Sequence, residues 1–129
     1  MKHFMLKFNH GVEIGAALAY NGHYARTNDM RVKLIEFDEI EHKVNLEVML
    51  SHYNEVPNPF IDLSFTIIGN TIRYLCRFSP RFLLNFIASS MEAFAIFNYK
   101  YLIKTYPEFE FKLYVMAITE MEHEKYFKA

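Results

Sequence analysis

Two Glu-x-x-His motifs, one in each half of the chain, constrain this 129-residue sequence more than any other feature. The first runs from Glu39 to His42, and the second runs from Glu120 to His123. With about 3.6 residues per helical turn, positions i and i+3 lie on the same face of a helix. Each motif therefore predicts a helix that directs one carboxylate and one imidazole toward the same point.

Each motif also has a solitary glutamate upstream in an apolar stretch, 26 residues before Glu39 and 28 residues before Glu120. Four carboxylates and two imidazoles in this pattern are typical of dinuclear iron or manganese sites in four-helix bundles. A single Glu-x-x-His is more often a solvated helix face, but the repetition favours a metal site. Carboxylate-rich ligation suits two Fe ions, with Mn as an alternative. The six predicted metal ligands are Glu13, Glu39, His42, Glu92, Glu120 and His123.

The positions of helix start and stop signals predict an all-α fold. We expect a ferritin-like four-helix bundle of two antiparallel hairpins with a long apolar crossover. Residues 1–129 are enough for a single ferritin-like di-iron domain. The helices are predicted at residues 4–26, 28–53, 80–104 and 107–127.

Local signals give three further expectations for the helices. Asn28 is expected to be the N-cap of the second helix. Ser79 is expected to cap the third helix, with Pro80 at its first position. Gly11 and Gly15 are expected to leave room for a metal cluster beside the glutamate of the first helix.

The connection between the hairpins, residues 54–78, is strongly apolar. Its uncharged run from Leu63 to Ile72 is too short to span a bilayer. Arg73 and Arg77 follow this run. One interpretation is a crossover buried in the bundle, as in ferritin-like folds. The other is an apolar segment, rimmed by arginines, that lies in a membrane interface or covers a lipophilic pocket.

Composition narrows the expected partners and compartment. The net charge of −1 indicates no nucleic-acid partner. A single cysteine excludes an intramolecular disulfide and fits a reducing compartment. No signal peptide is recognisable, so we expect a cytoplasmic protein or one bound peripherally to the inner face of the membrane. With 13 Phe and 9 Tyr, the chain is more apolar than one small core requires, which predicts a homodimer.

Several segments follow, in order, the pattern of a known family. They are residues 10–16 (His-Gly-Val-Glu-Ile-Gly-Ala), 20–23 (Tyr-Asn-Gly-His), 38–43, Glu92, Tyr99 and the second Glu-x-x-His motif. In these segments the chain resembles the demethoxyubiquinone hydroxylases. One position departs from the pattern, because Asn98 stands where the family usually has histidine.

The resemblance implies a di-iron monooxygenase of ubiquinone biosynthesis that hydroxylates a quinone ring at a membrane. It implies that the six residues above are iron ligands and that Tyr99 is a catalytic tyrosine near the cluster. It also implies O2 and a lipophilic small molecule as substrates, with peripheral membrane contact through residues 60–78. Tyr20 follows Glu13 at the same spacing as Tyr99 follows Glu92, but ordinary packing is the favoured explanation for Tyr20.

Two other classes of function fit the same residues. A ferritin- or rubrerythrin-like ferroxidase, iron-binding or peroxide-reducing protein needs the same six ligands but no lipid-facing segment. The single cysteine excludes rubredoxin-type electron transfer within this chain. A helical interaction module with a structural metal site is the third class.

The remaining polar candidates lack ligand spacing. We expect His3, His10, His23 and His52 to be surface or capping residues. Glu41 and Glu122 are expected either to accept hydrogen bonds from the ligand histidines or to lie on solvated faces. Cys76 is expected to be a small apolar residue.

Overall fold

The computed structural model describes residues 1–129 and contains helices but no strands. The all-α prediction is confirmed, and the connection between the hairpins contains a fifth helix. The chain divides into two compact units, Met1–Arg81 and Phe82–Ala129. The helices are α1 (Phe4–Thr27), α2 (Met30–His52), α3 (Pro59–Leu75), α4 (Arg81–Thr105) and α5 (Glu110–Lys128), with short 3-10 helices at Cys76–Phe78 and Pro107–Phe109.

In the first unit, α1 and α2 form an antiparallel hairpin with a two-residue turn. Asn28 ends α1 in the left-handed conformation, with φ 56°, and its N–H donates to the Tyr24 carbonyl at 2.7 Å. Asp29 then caps α2, because its side chain accepts a hydrogen bond from the N–H of Arg31. The prediction that Asn28 is the N-cap is therefore wrong. A turn this short needs a left-handed residue, which asparagine tolerates well.

The connection after α2 forms α3 because its start is strongly specified. Asn58 accepts hydrogen bonds from the N–H groups of Phe60 at 2.9 Å and Ile61 at 3.0 Å. Pro59 occupies the first turn, where its missing N–H and fixed φ are favourable. The apolar segment between the predicted hairpins is thus a helix in its own right.

Helix α3 packs along α1 in the same direction, through closely spaced glycines. A Cβ atom on Gly11 would lie 2.7 Å from side-chain atoms of Ile61 and Phe65. A Cβ atom on Gly69 would lie 2.7 Å from the carbonyl oxygen of Gly15. The glycines of α1 therefore allow the backbones of α1 and α3 to approach each other. The expectation that Gly11 and Gly15 make room for a metal cluster is wrong, because α3 occupies the space beside them.

The opposite face of α3 is apolar and exposed. Gly69 is the only buried residue along this helix. Phe60, Leu63, Ile67 and Tyr74 are 80%, 57%, 59% and 56% exposed. These residues are separated by three, four and seven positions, so they share one face. The interpretation of this segment as a buried crossover is therefore not supported.

In the second unit, α4 and α5 form another antiparallel hairpin. The N–H of Tyr106 donates to the Leu102 carbonyl at 2.8 Å, and the N–H of Phe109 donates to the Tyr106 carbonyl at 3.0 Å. These bonds close the turn between the helices, which agrees with the predicted break near Pro107.

Helix α4 begins at Arg81, directly after Pro80. The Ser79 hydroxyl donates to the Leu75 carbonyl at 2.9 Å, so it ends the preceding helix instead of capping α4 as predicted. By length and composition, α4 is the one helix long and apolar enough to cross a membrane, a test that core helices of soluble proteins also pass. Its Glu92 is 1% exposed.

Candidate metal centre

The first unit contains a buried group of three predicted ligands. Glu13 lies at the middle of α1, and Glu39 and His42 lie one turn apart on α2. The exposed fractions of these residues are 1%, 1% and 5%. His42 Nδ1 lies 3.7 Å from Glu13 Oε2 and 3.8 Å from Glu39 Oε1. The structure thus brings these three side chains together, and we call them the first ligand group.

Polar contacts on both sides of this group set the register between α1 and α2. The Lys7 ammonium lies 3.0 Å from Glu55 Oε2 at one end of the hairpin. The Asn21 side chain donates to Glu36 Oε2 at 3.3 Å toward the turn. Because the helices are antiparallel, this register places Glu13 opposite the Glu-x-x-His motif of α2.

The second unit contains a matching group. Glu92 lies on α4, and Glu120 and His123 lie one turn apart on α5. Their exposed fractions are 1%, 0% and 1%. His123 Nδ1 lies 3.5 Å from Glu92 Oε2 and 3.6 Å from Glu120 Oε1. We call these three residues the second ligand group, and its geometry closely follows that of the first.

The donor atoms of each group suit a metal ion. Within each group, one donor atom of each residue lies within 4.8 Å of those of the other two. Two ligand atoms about 2.1 Å from one metal ion, at a tetrahedral angle, lie about 3.4 Å apart. The imidazole-to-carboxylate distances of 3.5–3.8 Å are close to this value. Burying carboxylates is costly without compensating positive charge. Both groups could therefore hold a metal ion, and oxygen and imidazole donors are compatible with iron or manganese.

Both predicted tyrosines lie in the interior. Tyr99 on α4 is 0% exposed, and Tyr20 on α1 is 1% exposed. Asn98, beside Tyr99, is 2% exposed, and its buried Nδ2 atom has no hydrogen-bond acceptor. Burial is the same for both, so the packing explanation for Tyr20 and the catalytic role of Tyr99 both stay predictions.

His10 is a polar core residue that the sequence reasoning missed. It is 2% exposed. Its Nδ1 lies 2.9 Å from Asp62 Oδ1 on α3, and its Nε2 lies 2.7 Å from Glu47 Oε2 on α2. An imidazole with a hydrogen on both nitrogens donates to both carboxylates and joins all three helices of the unit. The prediction of a surface or capping residue is wrong. The sequence did contain a signal for the burial of His10. His10 and Glu13 are three residues apart, so they share the buried face of α1.

His23 also departs from its prediction as a surface or capping residue, because it is 4% exposed. Burial disfavours the imidazolium form and lowers the pKa of His23 from 6.5 to about 4. The charge of Asp29 opposes this shift, and the charge of Arg81 adds to it. His3, partly exposed at the start of α1, and the exposed His52 agree with the prediction.

The other candidates have structural explanations. Glu41 and Glu122 are exposed, which supports the solvated-face alternative for both. Cys76 is 2% exposed, and burial raises the pKa of its thiol. It therefore behaves as the small apolar residue that the sequence predicts.

Comparisons with known proteins assign neither a family nor a function to this chain. The chain matches no protein-family model, no curated protein and no solved structure.

Proposed function

We propose that this chain is a di-iron monooxygenase that uses O2 to hydroxylate a lipophilic, quinone-like substrate, as its resemblance to demethoxyubiquinone hydroxylases implies. The observation that carries the proposal is the pair of buried Glu-Glu-His groups, one in each unit. The doubled sequence motif supports a single dinuclear centre formed by both groups in a ferritin-like bundle. Manganese is the alternative metal.

The charge of the six residues suits such a centre. Four glutamates carry four negative charges, equal in size to the charge of two divalent cations, and the two histidines ligate as neutral imidazoles. Two iron ions held in this way would supply the redox chemistry that reduces O2. Inserting one oxygen atom into a ring C–H bond consumes one O2, two electrons and two protons, and releases water. Each turnover therefore requires a two-electron donor.

Besides the six ligands, Tyr99 is the residue for which we propose a catalytic role. It lies seven residues after Glu92 on α4, which is two helical turns on the same face. Aromatic side chains on a helix lean toward its N-terminus, which for Tyr99 is the direction of Glu92. Tyr99→Phe should therefore keep the metal but slow hydroxylation.

The exposed face of α3 supports a lipophilic substrate. Phe60, Leu63 and Ile67 give this helix an apolar surface of a kind that marks membrane or ligand contact. We propose that residues 60–78 touch the inner face of a membrane and that the substrate is delivered from there.

The remaining exposed apolar residues support a homodimer. Phe97 is 71% exposed and Phe111 is 82% exposed, and neither belongs to α3. Sedimentation in mild detergent that shows only monomers would contradict a protein dimer.

The decisive test compares two matched substitutions in exposed apolar positions. Ile67→Glu changes the apolar face of α3, and Val48→Glu makes a similar change on α2, where Val48 is 52% exposed. Each iron-loaded, anaerobically reduced protein is mixed with O2, liposomes and a quinone lacking the ring hydroxyl. We expect Ile67→Glu to weaken liposome binding and reduce hydroxylated product, with unchanged metal content. Val48→Glu should behave as wild type. Absence of hydroxylated product from the metal-loaded wild type would contradict the proposal.

The second candidate function is a ferritin- or rubrerythrin-like ferroxidase, iron-binding or peroxide-reducing protein. The observation that favours it is the same pair of buried ligand groups. This function requires no apolar surface on α3. In this case Fe(II) oxidation or peroxide consumption in buffer should be rapid in the wild type and equal in Ile67→Glu. That result, together with no quinone product, would favour the second function.

A further inference from the structure

A cleft in the first unit lies apart from the ligand groups and has a different chemical character. It has a volume of about 590 Å³ and lies between the C-terminal parts of α1 and α3. Three arginines contribute to its walls: Arg26 from α1, Arg73 from α3, and Arg77 from the turn that follows α3. The other lining residues are Asn21, Gly22, Ala25, Asn70 and Tyr74. No acidic residue lines the cleft.

The cleft is built on helices whose relative position is fixed by close packing. A Cβ atom on Gly22 would lie 2.6 Å from the Cα atom of Arg73. The last turns of α1 and α3 are therefore held side by side, with Arg26 on one and Arg73 on the other. Sites built on packed helices hold their side chains more closely in place than sites on loops.

The three guanidinium groups have no acidic partner. No Asp or Glu side chain lies within ion-pair distance of Arg26, Arg73 or Arg77 in the structure. One lining residue does contact a carboxylate: Asn21 donates a hydrogen bond to Glu36, which is also paired with Lys33 at 3.0 Å.

The partial negative charges at the C-termini of α1 and α3 are too small to neutralise the three arginines. Each helix C-terminus carries roughly half a negative charge, so the ends of α1 and α3 together offset about one of the three arginines. About two positive charges remain. The Arg77 guanidinium lies 5.5 Å from the centre of the Tyr74 ring, a cation–π contact that helps to hold it at the cleft.

We propose that this cleft binds the phosphate group of a phosphate ester. Guanidinium groups form paired, charge-assisted hydrogen bonds to phosphate oxygens. The same chemistry is present in a phospholipid headgroup and in a soluble phosphorylated molecule. The proposal does not depend on the metal centre.

The test uses two arms with the full chain at constant ionic strength. In the first arm, glycerol 3-phosphate and inorganic phosphate are titrated into the protein by calorimetry. In the second arm, the protein is sedimented with vesicles of phosphatidylglycerol or of phosphatidylcholine. Arg26→Gln removes one charge from the cleft, and Arg31→Gln removes one from an exposed position on α2 that does not line it.

We expect saturable binding in at least one arm, weakened about tenfold or more by Arg26→Gln and unchanged by Arg31→Gln. Arg77→Gln should give the same loss, and circular dichroism should show all variants folded. Binding of glycerol 3-phosphate identifies a soluble ester, whereas binding to phosphatidylglycerol vesicles alone identifies a headgroup. No saturable binding in either arm, or equal affinity in Arg26→Gln and Arg31→Gln, would overturn the proposal.

Discussion

Replacing Glu13 by glutamine should stabilise the metal-free protein and reduce the stabilisation that metal provides. Glutamine keeps the shape of the side chain but removes its charge. In the metal-free protein, Glu13 and Glu39 are two buried carboxylates beside one imidazole. Their repulsion and their lost hydration both oppose folding. A bound cation reverses this effect because it attracts both carboxylates.

The magnitude follows from the distance between the carboxylates. Their ligand oxygens lie within 4.8 Å of each other. Two unit charges about 4.8 Å apart repel by about 3.5 kcal/mol at an effective dielectric constant of about 20. The adjacent His42 takes up part of this repulsion, so we expect Glu13→Gln to raise the unfolding free energy of the metal-free protein by about 1–3 kcal/mol.

The assay is urea denaturation at pH 8, with chelator and with excess Fe(II) or Mn(II). The control is Glu41→Gln, which makes the same charge change at an exposed position of α2 and should alter stability by less than about 0.5 kcal/mol. A metal-free Glu13→Gln protein that is less stable than metal-free wild type by more than about 1 kcal/mol would refute the reasoning. It would mean that Glu13 makes an ordinary structural contact.

Two further predictions concern packing and pH. Gly69→Ala should destabilise the protein by about 1–3 kcal/mol in thermal or urea unfolding, because the new Cβ atom would lie 2.7 Å from the Gly15 carbonyl oxygen. We expect this effect to outweigh the higher helix propensity of alanine. An unchanged or higher stability would contradict the close packing of α1 and α3. The pKa of His23 is lowered from 6.5 to about 4, so its contribution to stability is fully present above pH 6.5 and is lost as the pH falls toward 4. The stability lost over this pH range should be about 2 kcal/mol after solvent screening, and the His23→Gln protein should not show this loss. An equal pH dependence of stability in wild type and His23→Gln would contradict the prediction.

Short-range periodicity was sufficient to predict the Glu and His pair in each ligand group. In each motif the Glu and His are three residues apart, so any regular helix places them on one face. The upstream partners Glu13 and Glu92 followed from the lengths of the helices and turns. The motif spacing and the lengths of the helices and turns can all be read from the local sequence. The structure places each set of three side chains together.

Contacts between distant segments were not predictable in the same way. The hydrogen bonds of His10 involve Glu47 and Asp62, which lie 37 and 52 residues away in the sequence. No local pattern relates these positions, because they meet only after α3 packs on α1. The role of Gly15 was misread for the same reason, since its contact with Gly69 belongs to that packing.

The central claim, that the two ligand groups bind metal, is tested most directly by the metal content of the full chain after loading with Fe(II) or Mn(II) without oxygen. We expect about two ions per chain in the wild type. Glu39→Ala and Glu120→Ala should lose most of the metal, whereas Glu41→Ala and Glu122→Ala, at exposed positions of the same two motifs, should retain it. Undiminished metal binding in both Glu39→Ala and Glu120→Ala would contradict the six-ligand centre.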